Sequence, residues 1–312
     1  MDVVVLRTLD PVQRGDLAAL LDRCERADHH PALAEPQRAA AARADLGGNG
    51  ARVVLAYDGG LVGCAVITPA LDGATALHVA VDPDHRIGAG GAGGAGGIQD
   101  ALLRTALQQT AGAGGGEVRL WVMKATPGDD TTAHELGFEP ERDLVQMRVP
   151  LPLPPETVAG ARPVSTRPFE PGRDDAAWLA VNNAAFADHP EQGGWTLDEL
   201  HEHMAFDWFD PDGFLMADAP DGNGLLGSCW TKIHRTTEPV LGEIYVISVA
   251  PAFHSQGWGK ALTVAGLQWM ADHGVTVGML YVTGSNTAAV RLYGALGFTV
   301  DHVDRSYLLT QR

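Results

Sequence analysis

The sequence predicts an α/β chain, with mixed sheets flanked by helices, built as two copies of one domain. Three observations predict it. Short β-branched runs alternate with helical stretches along the whole length. Each half carries a strand, a proline and an H-x-x-G-x-G turn: Val81-Asp-Pro83 before His85 to Gly90, and Val249-Ala-Pro251 before His254 to Gly259. A constant interval then closes each half: Trp121 stands 138 − 121 = 17 residues before Phe138 of a Leu-Gly-Phe end, and Tyr281 stands 298 − 281 = 17 before Phe298 of another. A shared strand, turn and end at equal spacing mark an internal repeat.

Met1 to Arg7 reads as a first strand, because a charge follows only four apolar residues after Asp2, which is too short for a secretory signal. Helices are expected over Asp16 to Arg26 and Glu35 to Ala44. Strands are expected over Arg52 to Tyr57 and Val62 to Thr68, around the turn Asp58-Gly59-Gly60, and over Leu77 to Val81. Gly88 to Gly97 is a low-complexity run that leaves the first glycine turn in either of two registers, Gly88-Ala-Gly90 or Gly97-Ile-Gln99. Pro150-Leu-Pro-Leu-Pro-Pro155 forbids helix continuation and central-strand pairing. It divides the chain into an N-terminal domain, 1–150, a proline-rich linker, 151–163, and a C-terminal domain, 164–312. In the second half the order recurs, with helices near Asp174 to Phe186 and Leu197 to Met204, then strands near Phe214 to Ala217, Leu226 to Lys232 and Glu243 to Val249.

Composition bounds the chemistry. The 312 residues and 45% apolar content suffice for two cores. The net charge, 22 − 39 = −17, argues against a nucleic-acid or anionic-membrane partner, and an anionic ligand must find a local basic or amide-lined pocket. Cys24, Cys64 and Cys229 are far apart and form no C-x-x-C pair, so neither a disulfide framework nor a zinc site is signalled; a reduced cytoplasm fits. No run is long enough for a membrane span. His201 and His203, with His189 and His234, suggest a metal cluster, but the i,i+2 pair His201 and His203 does not share a helix face; solvated or substrate-lining histidines are expected, and no metal.

The stretch Glu243 to Gly259 is where chemistry concentrates. A strand runs into a glycine turn that opens a helix, and the free N–H groups of a first helical turn seat phosphates. The spacing is neither the dinucleotide fingerprint nor the Walker loop, so an ordinary tight strand-to-helix turn remains the competing account.

Val249 to Leu262, followed by Asn286-x-x-Ala289-x-x-Leu292-Tyr293-x-x-Leu296-Gly297-Phe298, resembles the acyl-CoA site and closing helix of the GCN5-related N-acetyltransferase family. His254 stands where that family has Arg or Gln. The resemblance implies a twisted mixed sheet in which two neighbouring parallel strands splay to admit the pantetheine arm, and acetyl-CoA as cosubstrate. It implies cofactor contacts at Ile247, Ser248, Val249, at His254, Ser255, Gln256, Gly257, Trp258, Gly259 and Lys260, and at Asn286, Thr287, Ala288, Ala289, Val290 and Arg291. The matching N-terminal positions are Val79, Ala80, Val81, Gly88 and Gly90. Acetyl transfer needs a base for the ammonium and an acid for the leaving thiolate, and the expected pair is Glu243 and Tyr293. Counting back through the repeat puts Thr75 opposite Glu243 and Ala133 opposite Tyr293, neither able to replace it, so the C-terminal domain is expected to be catalytic and the N-terminal one degenerate.

A narrower resemblance is to tandem members that acetylate the cysteine amine of cysteinyl-glucosaminyl-inositol. It rests on Asn182 to Trp195, Phe209 to Phe214 and Trp230 to His234, and implies substrate contacts at Glu35, Glu191, Lys232, Glu243 and Tyr281. Phe206 to Phe214 reads either as a wall over that substrate or as a loop packed on the sheet. Another small amine as acceptor, an aminoglycoside or a peptide N-terminus, would share every cofactor residue; a non-catalytic acyl-CoA-binding protein would not need Glu243 and Tyr293.

Overall fold

The structure is a computed structural model that describes residues 1–28, 30–43, 50–70, 73–86, 97–187, 193–235 and 237–311, and of Glu35 and Pro36 the backbone alone. In chain order the elements are β1 (Asp2–Leu6), α1 (Pro11–Asp28), α2 (Glu35–Ala42), β2 (Arg52–Tyr57), β3 (Leu61–Pro69), β4 (Thr75–Val81), α3 (Ile98–Ala111), β5 (Gly116–Val122), α4 (Pro127–Glu135) and β6 (Glu139–Pro150). They continue with α5 (Pro155–Ala159), β7 (Arg167–Pro168), α6 (Asp175–Ala185), α7 (Leu197–Met204), β8 (Phe214–Asp218), β9 (Leu225–His234), β10 (Leu241–Val249), α8 (Trp258–Asp272), β11 (Val277–Thr283), α9 (Thr287–Ala295) and β12 (Thr299–Gln311). The expected helices and strands fall on these elements with ends displaced by a few residues. The expected linker contains the short helix α5.

Two compact units result, Met1–Leu144 with His302–Arg312, and Val145–Asp301. The sequence reading runs the second domain from 164 to the C-terminus, whereas here the last residues belong to the first unit, where β12 pairs antiparallel with β5 from Arg305/Val122 to Gln311/Gly116. The exchange follows from pairing: β5 needs a partner on its open edge, and the repeat motifs, which end at Phe298, do not say which copy a later strand completes.

In the first unit the strands run β1-β2-β3-β4-β5-β12. The α1–α2 side is filled by Leu17, Leu20, Cys24, Val53, Leu55 and Val66, and the α3–α4 side by Leu77, Leu102, Leu103, Ala133, Phe138 and Tyr307. The alternation of Val53 and Leu55 against Val54 and Ala56 is the period of two that sends neighbours to opposite faces. β4 is parallel to β5 only from Thr75/Val118 to His78/Trp121, although β4 continues to Val81.

The second unit repeats the plan in the order β6-β11-β10-β9-β8-β7. Leu262, Leu267, Met270, Ile244, Leu280, Tyr293 and Phe298 form the core under α8 and α9. Trp178, Leu200, Phe214, Trp230 and Val246 form the core under α6 and α7. Trp230 stacks on Phe214 with ring centroids 4.3 Å apart, and the buried Trp178 indole N–H donates to Ser228 Oγ at 3.0 Å. Aromatic pairs of this kind contribute about 0.5–1.5 kcal/mol beyond area burial.

Candidate active site

The parallel ladder between β10 and β11 runs from Leu241/Val277 to Ile244/Leu280 and stops, while β10 continues to Val249 and β11 to Thr283. β10 keeps its antiparallel pairing with β9 as far as Val249/Gly227, so only its β11 side is opened. Gly227 permits this pairing, since a Cβ there would lie 2.4 Å from the Ser248 carbonyl oxygen. Ile247, Ser248 and Val249 thus present backbone groups to a gap between parallel strands, where a ligand amide can replace the missing neighbour.

A bulge between Ile244 and Val246 leaves Tyr245 without a register partner on β9. The ladder of β4 with β3 shows no such shift. In register, then, Glu243 faces Lys232 on β9 and Met279 on β11, and the equivalent first-unit residue is Ala76, facing Thr68 and Arg119. This corrects the count that matched Glu243 with Thr75, because a bulge adds a residue to one strand that sequence spacing cannot see. The chemical conclusion is unchanged, since alanine is no base. Ala133 is confirmed opposite Tyr293: its carbonyl accepts the Phe138 N–H at 3.0 Å as the Tyr293 carbonyl accepts the Phe298 N–H at 3.1 Å.

Residues that face one another across register share a sheet face. Glu243 and Lys232 therefore lie on the α6–α7 face, with Trp230 and Val246, while Tyr293 lies in the core on the α8–α9 face. Both site residues are buried, at 8% exposure each. Burial pushes the Tyr293 phenol up to about 12, and the nearby Cys229 thiol adds to the shift, so the hydroxyl stays protonated at neutral pH. Glu243 Oε2 receives a hydrogen bond from His234 Nε2 at 2.7 Å. Lys232 Nζ stands 4.4 Å from the Trp208 ring centroid and 5.3 Å from that of Tyr245. Tyr281 OH accepts from Gln146 Nε2 at 2.7 Å. Trp208 belongs to the aromatic packing on the sheet and also caps Lys232, so the Phe206 to Phe214 stretch is a loop packed on the sheet.

The glycine turn is formed by backbone that side chains resist. Ser255 has φ 59° and Gly257 φ 83°, the left-handed region, and Gly257 is the N-cap of α8. The first turn bond is Ala261 N–H to the Gly257 carbonyl at 3.1 Å, which leaves the amides of Trp258, Gly259 and Lys260 without intrahelical acceptors. His254 turns back and donates from Nε2 to the Val249 carbonyl at 2.8 Å, tying turn to strand end. Positive charge comes from Lys260 and from Arg162, whose guanidinium stacks 3.6 Å from the Trp258 ring centroid and donates to the Gln256 carbonyl at 2.8 Å. Asn286 caps α9 by accepting the Ala289 N–H at 3.1 Å, placing Thr287, Ala288, Ala289, Val290 and Arg291 on its first turns.

The structure thus brings Glu243, Lys232 and Tyr281 to one sheet and Tyr293 to the opposite side of the opened ladder. Arg162, in the expected linker, is the residue sequence reasoning missed. His234 was named only as a candidate metal histidine and as the end of the Trp230 to His234 run, and its place beside Glu243 comes from the structure. Val79, Ala80 and Val81 occupy the corresponding end of β4. In the first unit α3 begins at Ile98 after Gly97, which selects the second of the two registers for the helix start. Gly88, Gly90 and Glu191 lie outside the described residues, as does the side chain of Glu35. His201 and His203 are engaged locally, with Asp175 Oδ2 at 2.9 Å and the Glu199 carbonyl at 2.8 Å.

The model of the Acetyltransferase (GNAT) family matches residues 178–298. A mycothiol acetyltransferase from Frankia alni is 41% identical over 323 residues, covering 96% of this chain and 92% of its own. The chain belongs to the mycothiol acetyltransferase family. Among solved structures, a GCN5-related N-acetyltransferase from Sphaerobacter thermophilus superposes with a TM-score of 0.72 at 22% identity, over 99% of this chain and 95% of the other. A tandem GNAT protein from the clavulanic acid biosynthesis pathway gives 0.70 at 15% identity, over 99% and 98%. At such identities the likeness is one of fold, and it extends the acetyltransferase architecture of this family to both halves of the chain.

Proposed function

We propose that this chain is a mycothiol synthase, transferring acetyl from acetyl-CoA to the cysteine amine of cysteinyl-glucosaminyl-inositol, the last step of mycothiol biosynthesis. One observation carries the assignment: the likeness to a named mycothiol acetyltransferase runs at 41% identity over nearly the whole of both chains. The reaction is supported independently by a carboxylate and a phenol on opposite faces of a sheet whose ladder opens between them.

In this reading the pantetheine arm is held by Ile247 to Val249, the pyrophosphate by the amides of His254 to Lys260 with Arg162 and Lys260 supplying charge, and the remaining contacts come from Asn286 to Arg291. An anionic ligand is thereby accommodated in a chain of net charge −17. Glu243, directly or through one water, takes the proton from the substrate ammonium, and His234 holds its carboxylate in place. A backbone N–H near Val249 polarises the thioester carbonyl. Tyr293 meets the departing sulfur. With its phenol raised to about 12, well above a thiol near 8.5, it acts mainly as a hydrogen-bond donor that stabilises the thiolate. Lys232, Tyr281 and Glu191 contact the acceptor. The N-terminal unit is catalytically degenerate, with Ala76 and Ala133 at the two decisive positions. Cytoplasmic location is supported by three free, buried cysteines; among the described residues no helix is long and apolar enough to cross a membrane.

The test is thiol release from acetyl-CoA with cysteinyl-glucosaminyl-inositol beside an aminoglycoside. Turnover of the first and not the second is expected. Acceptance of the aminoglycoside alone would overturn the acceptor and leave the acetyltransferase chemistry standing.

A further inference from the structure

Three ligand-type side chains from the two ends of the chain converge inside the first unit. His30 lies between α1 and α2, and His302 and Asp304 lie on β12. One donor atom from each lies within 4.8 Å of the others, and the imidazoles meet edge to face with centroids 4.4 Å apart. His30 and Asp304 are almost wholly buried.

The hydrogen bonds around the cluster orient these atoms toward one another. His30 Nδ1–H donates to the Pro31 carbonyl at 2.8 Å, which in the neutral ring leaves the lone pair on Nε2, 3.8 Å from Asp304 Oδ2. His302 Nε2 stands 3.4 Å from Asp304 Oδ1. Oδ1 also accepts the Lys124 N–H at 2.8 Å, from a residue held at φ 50°, whereas Oδ2 has no hydrogen-bond partner. A carboxylate oxygen buried this deeply without a partner is costly unless a cation meets it.

Spacing separates a proton from a metal ion. Where this protein bridges histidine and carboxylate by a proton, the pair closes to 2.7 Å at His234–Glu243 and 2.9 Å at His201–Asp175. Here the separations widen to 3.4 and 3.8 Å, close to the roughly 3.4 Å edge of a tetrahedron whose bonds to the ion are about 2.0–2.2 Å. A ring nitrogen anchored on a backbone carbonyl and a carboxylate oxygen anchored on a backbone amide are also the outer contacts that metal ligands ordinarily make.

We propose that His30, His302 and Asp304 form a divalent-cation site, of a kind that takes Zn2+, clipping the turn after α1 to the closing strand of the first unit. Its role is structural: the ligands tie residues near the two ends of the chain, and an ion bound only by the folded state stabilises it. The expectation of no metal rested on the spacing of other histidines and on chemistry that needs none, whereas His302 and Asp304, two apart on β12, share a strand face with a third ligand far away in the chain. The site is independent of the acetyl-transfer centre in the second unit.

The test uses the full chain, stripped with a chelator and titrated with Co2+ as a spectroscopic stand-in and then with Zn2+. One equivalent of Co2+ giving a visible d–d band, displaced by Zn2+, with a melting temperature that rises with free metal, is the expected result. His302→Gln and Asp304→Asn should weaken binding by more than the ~10–100-fold that loss of an outer contact costs, while His201→Gln should leave it unchanged. No band and no thermal shift in the unmodified chain would overturn the proposal, as would equal binding in the His302 variant or loss of binding in the His201 variant. Should the ligand variants fail to fold, X-ray absorption at the zinc edge of the unmodified holo protein decides: two imidazoles and an oxygen donor support the site, and a sulfur shell or no histidine refutes it.

Discussion

His234 Nε2 lies 2.7 Å from Glu243 Oε2, joining the last residue of β9 to the carboxylate of β10 on the face opposite Tyr293. Glu243→Gln is expected to lower kcat by about 10²–10⁴-fold, the usual worth of a positioned base. His234→Ala, which removes one hydrogen bond and not the base, is expected to cost only about tenfold in kcat/KM, with partial recovery in His234→Gln. Steady-state thiol release measures all three, and undiminished turnover in Glu243→Gln would remove the carboxylate from the mechanism.

Tyr293→Phe is expected to lower kcat by roughly 10–100-fold, the worth of a hydrogen bond to a charged sulfur, with the KM for acetyl-CoA nearly unchanged. The same residue gives a stability signature. Its folded-state pKa, raised by burial to about 12, exceeds the unfolded value of about 10. The protonated phenol therefore contributes stability that is fully present below pH ~10 and is lost as pH rises toward the folded value, by roughly 3 kcal/mol in all. Denaturant titrations at pH 9 and at pH ~11.5 should show the unmodified chain losing more stability than Tyr293→Phe across that interval. Equal losses would place the phenol in contact with water.

Arg162 and Lys260 bring cationic groups to a glycine turn in an acidic protein. Replacing either by Ala should raise the KM for acetyl-CoA about 10-fold or more, as expected for a charge-assisted contact, and leave kcat within a few-fold. A fall in kcat at constant KM would instead place these side chains at the reacting centre. Arg162→Lys should not restore the affinity, because the planar guanidinium stacks on Trp258 as an ammonium does not.

Gly227→Ala should destabilise the second unit by about 1–3 kcal/mol, the cost of inserting a methyl into filled space. The added carbon would stand 2.4 Å from the Ser248 carbonyl oxygen, a backbone atom that cannot swing aside. Chemical denaturation measures it, and a change below about 0.5 kcal/mol would mean that β9 and β10 separate freely at this point.

The repeat, the glycine turn of the second half and the lack of a carboxylate and a phenol at the matching positions of the first were legible in the sequence. They depend on local order: His254 to Lys260 must form a turn because Gly257 permits a left-handed backbone, and Tyr293 lies a fixed interval before Phe298. The bulge at Tyr245 was not legible, because one added residue in a strand looks like any other, and it moved the counterpart of Glu243 from Thr75 to Ala76. The contact of His234 with Glu243 was hidden because its partner is nine residues away on another strand.

By itself, then, the sequence determined the two-copy α/β architecture and the glycine turn of the second half, since each is written in residues near one another along the chain. Only the tertiary structure decided that β12 completes the first unit, that Glu243 is held by His234, that Arg162 reaches the turn, and that His30 meets His302 and Asp304. Those relations follow from strand pairing and helix packing, which bring together side chains whose separation along the chain carries no information about their separation in space.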